Sequence, residues 1–213
     1  MSFELPKLYA ITDVGLSGLG HAVQVAGLCE GGARLVQLRE KRLSPREFYR
    51  EALEAVGVAR ERGALVVVND RADLALAVGA DGVHLGQDDL GPEAARRVLG
   101  DGAVIGYSTH DVGQAMRAAS MPVDYVAVGP IFATASKERP DPVLGLEGLR
   151  RVREAVGASV RLVAIGGITA ERAPACLAAG ADCVAVIGAL VAAAGDASEI
   201  AERTRRFLDA LPA

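Results

Sequence analysis

The chain has 213 residues, 51% of them hydrophobic and 23% charged, so its length and composition suit one globular domain with a substantial core. Its 23 basic and 27 acidic residues give a net charge of −4, and its pI is near 5.5. This acidic balance argues against a nucleic-acid or anionic-membrane surface. Any anion that the protein binds must therefore meet a local cluster of basic groups.

The cysteines, the first residues and the longest apolar stretch bear on the cellular compartment of the protein. Cys29, Cys176 and Cys183 are odd in number and show no C-x-x-C spacing, so we expect reduced core thiols. Residues 1–4 lack the basic and apolar regions of a signal peptide. The longest uncharged apolar stretch, 183–195, is shorter than the roughly 20 residues that a bilayer requires. These features predict a cytoplasmic protein.

Apolar strands and amphipathic helices alternate along the chain. The predicted strands cover residues 8–11, 35–41, 66–68, 82–85, 104–107, 125–131, 162–165 and 183–187. The clearest helix follows Ser44, an N-cap with Pro45 at the first helical position and Glu47 completing a capping box. Further helices are predicted over residues 14–30, 72–78, 92–99, 112–119, 146–156 and 198–211. This alternation predicts an α/β fold, a single (β/α)8 TIM barrel forming one catalytic domain over residues 1–213.

Two successive strands end in carboxylates. Asp70 follows the strand 66–68, and Asp89 follows the strand 82–85. Because the carboxyl ends of barrel strands share one mouth, we expect Asp70 and Asp89 to lie close together. Such a pair suits Mg²⁺, which takes one or two carboxylates and fills its other positions with water and substrate phosphate. The alternative is that Asp70 caps the next helix, and that Asp88 or Asp89 caps the helix near Pro92.

The second strand ends in basic residues. By period-2 alternation, Gln37, Arg39 and Lys41 point to the same side. An arginine fork binds phosphate bidentately and a lysine adds a point charge, so this strand end is a candidate polyanion site. The alternative is a solvated strand end that carries surface charges.

Polar groups also follow the fifth and sixth strands. Ser108 is a candidate hydrogen-bond donor to a ligand, whereas Thr109 and Asp111 are equally well explained as caps of the helix 112–119. The loop 132–144 is too rich in proline for a helix, and its hydroxyl and lysine side chains are Thr134, Ser136 and Lys137. They suit a phosphate-facing lid, although an ordinary solvated loop has the same composition.

Glycines follow the last two strands. Gly167 and Gly188 let backbone N–H groups approach an anion where these barrels commonly hold phosphate. The mouth is therefore predicted to offer one anion site with a metal, suited to a pyrophosphate, and one without, suited to a monophosphate. Metal, lysine and arginine would neutralise a departing diphosphate, so group transfer with pyrophosphate loss is the natural reaction class.

Several motifs together resemble the thiamine-phosphate synthase family. They are Gln37-Leu38-Arg39-Glu40-Lys41, Asn69-Asp70-Arg71, His84-Leu85-Gly86-Gln87-Asp88-Asp89, Ser108-Thr109-His110, Gly129-Pro130-Ile131-Phe132, Thr134-x-Ser136-Lys137 and Ile165-Gly166-Gly167-Ile168. The resemblance runs from Leu8 to about Leu190. It implies the joining of hydroxymethylpyrimidine diphosphate to thiazole phosphate, in which diphosphate leaves first and the thiazole nitrogen captures the pyrimidine cation.

The resemblance also implies roles for individual residues. Pyrimidine diphosphate would be held by Gln37, Leu38, Arg39, Glu40, Lys41, Asn69, Ser108 and Lys137. Of these, Arg39, Ser108 and Lys137 would act in catalysis, and Asp70 and Asp89 would bind Mg²⁺. Thiazole phosphate would be held by Thr134, Ala135, Ser136, Gly167, Ile187 and Gly188. Small-molecule substrates are implied, and a homodimer is suggested by the resemblance alone.

The chain departs from the family pattern at three positions. Ala133 replaces a proline, Ser136 replaces a threonine, and Gly188 stands where serine is common. Two other functions are compatible with the same barrel. One is a thiazole tautomerase, which would not need the Asp70 and Asp89 pair; the other is a non-catalytic sensor of phosphorylated ligands.

Overall fold

The computed structural model describes residues 3–134 and 141–212. The strands are β1 Leu8–Asp13, β2 Leu35–Arg39, β3 Leu65–Asn69, β4 Gly82–Leu85, β5 Val104–Thr109, β6 Tyr125–Val128, β7 Leu162–Ile165 and β8 Cys183–Val186. The helices are α1 Val14–Ser17, α2 His21–Glu30, α3 Pro45–Glu61, α4 Ala72–Val78, α5 Pro92–Leu99, α6 Val112–Ala118, α7 Gly145–Val156, α8 Ala173–Ala178, α9 Gly188–Val191 and α10 Ala197–Asp209.

The strands form a closed parallel barrel. Each strand pairs with the next along the chain, and β8 pairs with β1. Helices follow the strands around the outside, which places all carboxyl ends of the strands at one mouth. The predicted (β/α)8 barrel is confirmed.

The hydrophobic core has two parts. The larger part lies between the barrel and the helices, where Ala52 and Val56 of α3 are buried as the helical spacing predicts. The smaller part fills the barrel interior with side chains that include Tyr9, Tyr125 and Val163. The three cysteines are buried free thiols, as expected. Among the described residues, no helix is long and apolar enough to cross a membrane.

Several predicted boundaries are wrong, among them the ends of β1 and β5, which lie two residues later than predicted, at Asp13 and Thr109. The expected helix 14–30 is divided into α1 and α2, because Gly18 has a φ of +77° and its N–H returns to the Val14 carbonyl at 2.8 Å. Strand β2 ends at Arg39, two residues before the predicted end. Strand β6 ends at Val128 rather than at residue 131, since Pro130 has no N–H to extend the ladder.

Three aspartates hold the amino-terminal end of the barrel. Each immediately precedes a strand and accepts a backbone N–H from the neighbouring strand. The pairs are Val66 N–H to Asp81 at 2.7 Å, Ile105 N–H to Asp124 at 2.8 Å and Leu162 N–H to Asp182 at 2.7 Å. Arg96 also pairs with Asp124, and Arg153 with Asp182. Hydrogen bonds to an ionised acceptor are about twice as strong as neutral ones, so these contacts stabilise the strand order.

Candidate active site

A cavity of about 1490 Å³ lies at the carboxyl ends of the strands. The predicted site residues that line it are Gln37, Arg39, Glu40, Lys41, Asn69, Asp70, Asp89, Ser108, Thr134, Gly167, Ile187 and Gly188. Leu38 is not among the lining residues, because alternation turns it outward into the core between strands and helices. Ala135, Ser136 and Lys137 lie outside the described residues.

Asp70 and Asp89 come together at the ends of β3 and β4. Asp70 accepts an ion-paired hydrogen bond from Lys41, and Asp89 accepts the Gly86 N–H at 2.7 Å. The pKa of Asp89 is raised by burial and further by its hydrogen bond with Asp70 and the negative charge of Asp70, against the opposing effects of Gly86 and Lys41. The two carboxyl groups are therefore direct neighbours.

Neither carboxylate caps a helix. The N-cap of α4 is Arg71 and that of α5 is Gly91, and neither helix has a side-chain cap hydrogen bond. Asp70 instead adopts a φ of +63°, a conformation in which aspartate is enriched among non-glycine residues. The alternative interpretation of these acids as caps is therefore wrong.

The donor chemistry of this pair fits a divalent cation. Two adjacent carboxylates repel each other unless a proton or a cation lies between them. Among the described residues, no group of three or more His, Cys, Asp or Glu side chains is placed to hold a metal. The site thus lacks an all-protein cage, but Mg²⁺ is commonly bound by one or two carboxylates together with water and substrate phosphates. Asp70 and Asp89 would supply those carboxylates.

Two acidic side chains position the basic residues at the end of β2. Arg39 forms an ion pair with Asp13, and both side chains are mostly buried. One carboxylate oxygen of Glu40 accepts the N–H groups of Lys41, Arg42 and Leu43 at 2.7, 2.6 and 3.1 Å. Glu40 therefore fixes the backbone turn that presents Lys41 and Arg42 to the cavity.

Glu40 is backed by a buried histidine. Its second carboxylate oxygen lies 3.4 Å from Nε2 of His21, which is fully buried, and Thr12 Oγ1 lies 2.7 Å from the other ring nitrogen. Burial acts to raise the pKa of Glu40, but its backbone hydrogen bonds lower it. Burial lowers the pKa of His21, although Glu40, Glu51 and Asp13 oppose this effect.

A chain of hydrogen bonds crosses the barrel interior between two predicted site residues. Gln37 donates to the Tyr9 hydroxyl at 2.8 Å, and the Tyr125 hydroxyl donates to Tyr9 at 2.9 Å. His84 Nδ1 lies 3.0 Å from the Tyr125 hydroxyl, and His84 Nε2 lies 2.8 Å from Ser108 Oγ. Burial lowers the pKa of His84 to about 4, so the ring is neutral at pH 7.

The direction of this chain assigns a role to Ser108. Because Tyr125 donates to Tyr9, its oxygen accepts from Nδ1–H of His84, which leaves Nε2 as an acceptor. The Ser108 hydroxyl then donates to His84 and presents its lone pairs to the cavity. In this arrangement Ser108 has lone pairs available to a ligand. Tyr9, Tyr125 and His84 were not expected at the site, because inward-facing aromatic residues on strands are typical of core.

Of the three residues after Ser108, two make structural hydrogen bonds and one lines the cavity. Asp111 caps α6 by accepting the Gln114 N–H at 2.7 Å, as one interpretation expected. Thr109 does not cap this helix and instead donates to the Ala127 carbonyl at 2.9 Å, which corrects the capping interpretation there. His110 lines the cavity and its Nδ1 lies 2.7 Å from the Gly129 carbonyl.

The opposite wall is built around Gly167 and Gly188. Gly167 has a φ of +63°, and a Cβ there would lie 2.4 Å from the Ala133 carbonyl oxygen, so only glycine fits. A Cβ on Gly188 would approach nothing closer than Ala192 at 4.0 Å. Gly167 is therefore packed closely against the loop after β6, whereas Gly188 lies in open space.

One basic residue on this wall had no signal in the sequence. Arg172 lines the cavity, donates from Nη1 to the Gly167 carbonyl at 3.0 Å, and places its guanidinium carbon 4.8 Å from the centre of the Phe132 ring. Strand β7 is four positions from β3 in a closed barrel of eight. Gly167 and Arg172 thus lie across the mouth from Asp70.

A parallel (β/α)8 barrel with a large charged cavity at the carboxyl ends of its strands has the architecture of an enzyme. Comparison with known proteins then gives the family. A sequence model of the family described as thiamine monophosphate synthase matches residues 8–190. The chain belongs to this family.

Relatives in this family are similar over most of their length. Thiamine-phosphate synthase of Chloroflexus aurantiacus is 46% identical over 188 residues, 88% of this chain and 86% of that protein. Thiamine-phosphate synthase of Koribacter versatilis is 48% identical over 195 residues, 88% of this chain and 90% of that protein. The solved thiamine phosphate pyrophosphorylase from Pyrococcus furiosus is 37% identical, covers 97% of both chains and has a TM-score of 0.82.

Proposed function

We propose that the chain is a thiamine-phosphate synthase, a transferase that joins hydroxymethylpyrimidine diphosphate to thiazole phosphate with release of pyrophosphate. The observation that carries this proposal is the meeting of Asp70, Asp89 and Lys41 at one rim of the cavity. These residues come from three successive strand ends. They combine the two carboxylates that a divalent cation accepts with a cation for phosphate, as a diphosphate leaving group requires.

The leaving group would be held on the β2–β4 side of the mouth. Asp70 and Asp89 would bind Mg²⁺, which when bound supplies positive charge to the departing diphosphate. Lys41 would turn from Asp70 toward phosphate oxygens, and Arg39 would add a planar fork that remains oriented by Asp13. Asn69 lies beside them on the cavity wall, and Lys137 is expected to reach the same phosphates.

The pyrimidine ring would lie over the buried series of hydrogen bonds that connects Gln37 to Ser108. These hydrogen bonds fix the side chains of Gln37 and Ser108, so the remaining polar atoms of both residues face the cavity without reorganisation. Ser108, as an acceptor, suits an amino group on the pyrimidine. A neutral His84 keeps that acceptor in place and adds no positive charge that would repel the cation formed when diphosphate leaves.

The thiazole phosphate would occupy the opposite wall. Gly167 and Gly188 bring backbone close to the cavity, Ile187 lies beside them, and Thr134 faces them from the loop after β6. This arrangement would place the thiazole nitrogen between the two anion sites, where the pyrimidine cation forms. Glu40 would act by positioning Lys41 and Arg42.

Incubation with both substrates and Mg²⁺ tests the proposal. We expect thiamine phosphate and pyrophosphate in equal amounts by mass spectrometry and a coupled pyrophosphate assay, and neither product with EDTA. A thiazole tautomerase would interconvert thiazole phosphate isomers without pyrophosphate release. A sensor would bind both substrates and convert neither.

We also infer the wider setting of this activity. Barrel strands drawn from Leu8 to Val186 and the packing of α10 on α2 support one catalytic domain over residues 1–213. Buried free thiols are typical of a reducing compartment, which supports a cytoplasmic location. The family resemblance suggests a homodimer, which light scattering on the purified protein would measure.

A further inference from the structure

Basic side chains line the cavity on two opposite sides. Among the described residues, the lysines and arginines of its wall are Arg39, Lys41, Arg42 and Arg172. The first three lie at the carboxyl end of β2, next to the carboxylate pair. Arg172 follows β7 and stands alone on the far wall, so it lies too far around the barrel to share the role of the others.

The contacts of Arg172 fix the position of its guanidinium. One N–H donates to the Gly167 carbonyl at 3.0 Å, which ties the side chain to the loop after β7. Its guanidinium lies over the Phe132 ring, with 4.8 Å between the guanidinium carbon and the ring centre, which ties it to the loop after β6. An arginine has five N–H donors, so several remain for a ligand.

The charge of Arg172 also differs from the charges of Arg39 and Lys41 in its surroundings. Arg39 is paired with Asp13 and Lys41 with Asp70. Within residues 3–134 and 141–212, no carboxylate lies within 4.0 Å of the Arg172 guanidinium. The neighbouring Glu171 is hydrogen-bonded to Thr169 and interacts with the Arg172 charge from beyond that distance. A positioned guanidinium without an ion-pair partner facing a cavity is a binding group for an anion.

We propose that Arg172 binds the phosphate of the thiazole substrate and makes the far wall selective for a phosphorylated thiazole. This inference rests on the proposed function. Gly188 has no side chain to donate, and Gly167 contributes only backbone, so among the described residues Arg172 is the one lysine or arginine of that wall. Its contacts with Phe132 and Gly167 hold it ready before the ligand arrives.

Arg172→Gln and Arg172→Lys in the full-length protein test this role. Calorimetry would measure the affinity for thiazole phosphate and for the same thiazole alcohol without phosphate, and steady-state kinetics would give both KM values. Arg150→Gln is the control, because Arg150 is an exposed helix residue whose ion-pair partner is Glu147. Thermal melting of every variant checks the fold.

We expect Arg172→Gln to weaken thiazole phosphate binding at least tenfold and the alcohol less than twofold. The KM for pyrimidine diphosphate should change less than twofold, and Arg172→Lys should give an intermediate loss. Equal weakening of both thiazole ligands would mean that Arg172 only holds the wall together and would overturn the inference, as would unchanged binding of both. Failure of the proposed function would instead appear as absence of pyrophosphate release by the unmodified protein.

Discussion

The aspartates at the two ends of the barrel have opposite surroundings. At the amino-terminal end, Asp124 and Asp182 each accept a strand N–H and an arginine, so their charge is compensated within the fold. At the carboxyl end, Asp70 and Asp89 face each other, and Lys41 interacts with both. The same residue type therefore stabilises the barrel at one end and is left available for a ligand at the other.

The difference shows how a barrel separates stability from chemistry. Compensated aspartates lower the free energy of the folded state without any ligand. Two adjacent carboxylates raise that free energy, as the raised pKa of Asp89 indicates, and a cation removes the cost. Substitutions at the carboxyl end should therefore lower turnover, and substitutions at the amino-terminal end should lower the free energy of unfolding.

The largest expected effect is on turnover at the carboxyl end. Asp89→Asn removes one of the two carboxylates, so pyrophosphate release in saturating Mg²⁺ should fall by about 10²–10³-fold, the scale of a lost electrostatic contact in a transition state. The melting temperature should stay the same or rise, because like-charge repulsion with Asp70 disappears. A large loss of stability with little loss of turnover would contradict the comparison.

The matched change at the amino-terminal end is Asp124→Ala. It leaves the Ile105 N–H without its acceptor and the Arg96 guanidinium without its ion-pair partner, so the free energy of unfolding should fall by about 1–3 kcal/mol. The rate at 25 °C should remain within twofold of the unmodified protein. Urea denaturation and the pyrophosphate assay measure the two quantities, and a tenfold loss of rate in folded protein would refute the separation.

Tyr125→Phe should have an intermediate effect. It removes the hydroxyl that joins Tyr9 to His84, so His84 loses the partner that fixes its tautomer and Ser108 loses its orientation. We expect kcat to fall by about tenfold, with stability lower by about 1 kcal/mol. Phe207→Leu, a change in the outer core, serves as control, since it should lower stability while leaving kcat unchanged.

A smaller, pH-dependent effect is expected from Glu40→Gln. The pKa of Glu40 is lowered in the folded protein, so its ionised form stabilises the fold above the ordinary value of 4.5 and this contribution disappears as the pH falls below it. The difference in unfolding free energy between the unmodified protein and Glu40→Gln should therefore be larger at pH 7 than at pH 4. An equal difference at both pH values would show that the charge of Glu40 does not hold the turn. At pH 7 the variant should also raise the KM for pyrimidine diphosphate several-fold through Lys41 and Arg42.

The sequence predicted the barrel because its periodicities are local. Strand ends followed by polar residues were sufficient to place Asp70, Asp89 and Arg39 at one mouth. Boundaries failed where a single residue changed the backbone, as at Gly18 and at Pro130. These are effects of φ and of a missing donor, which a periodicity does not contain.

Other parts of the site depended on contacts between distant residues. Tyr9 and Tyr125 are 116 positions apart, and each has the sequence pattern of a buried aromatic residue. Arg172 follows a strand end by seven residues and reaches the cavity only because its side chain turns back to Gly167. The role of Glu40 depends on a turn whose N–H groups converge on one oxygen. Such features are defined by three-dimensional packing and have no periodic signal.

Single-turnover pyrophosphate release during a Mg²⁺ titration tests the central claim most directly. The unmodified protein, supplied with both substrates, should release one equivalent of pyrophosphate with a saturable dependence on Mg²⁺. The Asp70→Asn/Asp89→Asn double variant should remain folded and release none on the same timescale. Metal-dependent release at a normal rate by the double variant would contradict the assignment of the diphosphate site to this rim.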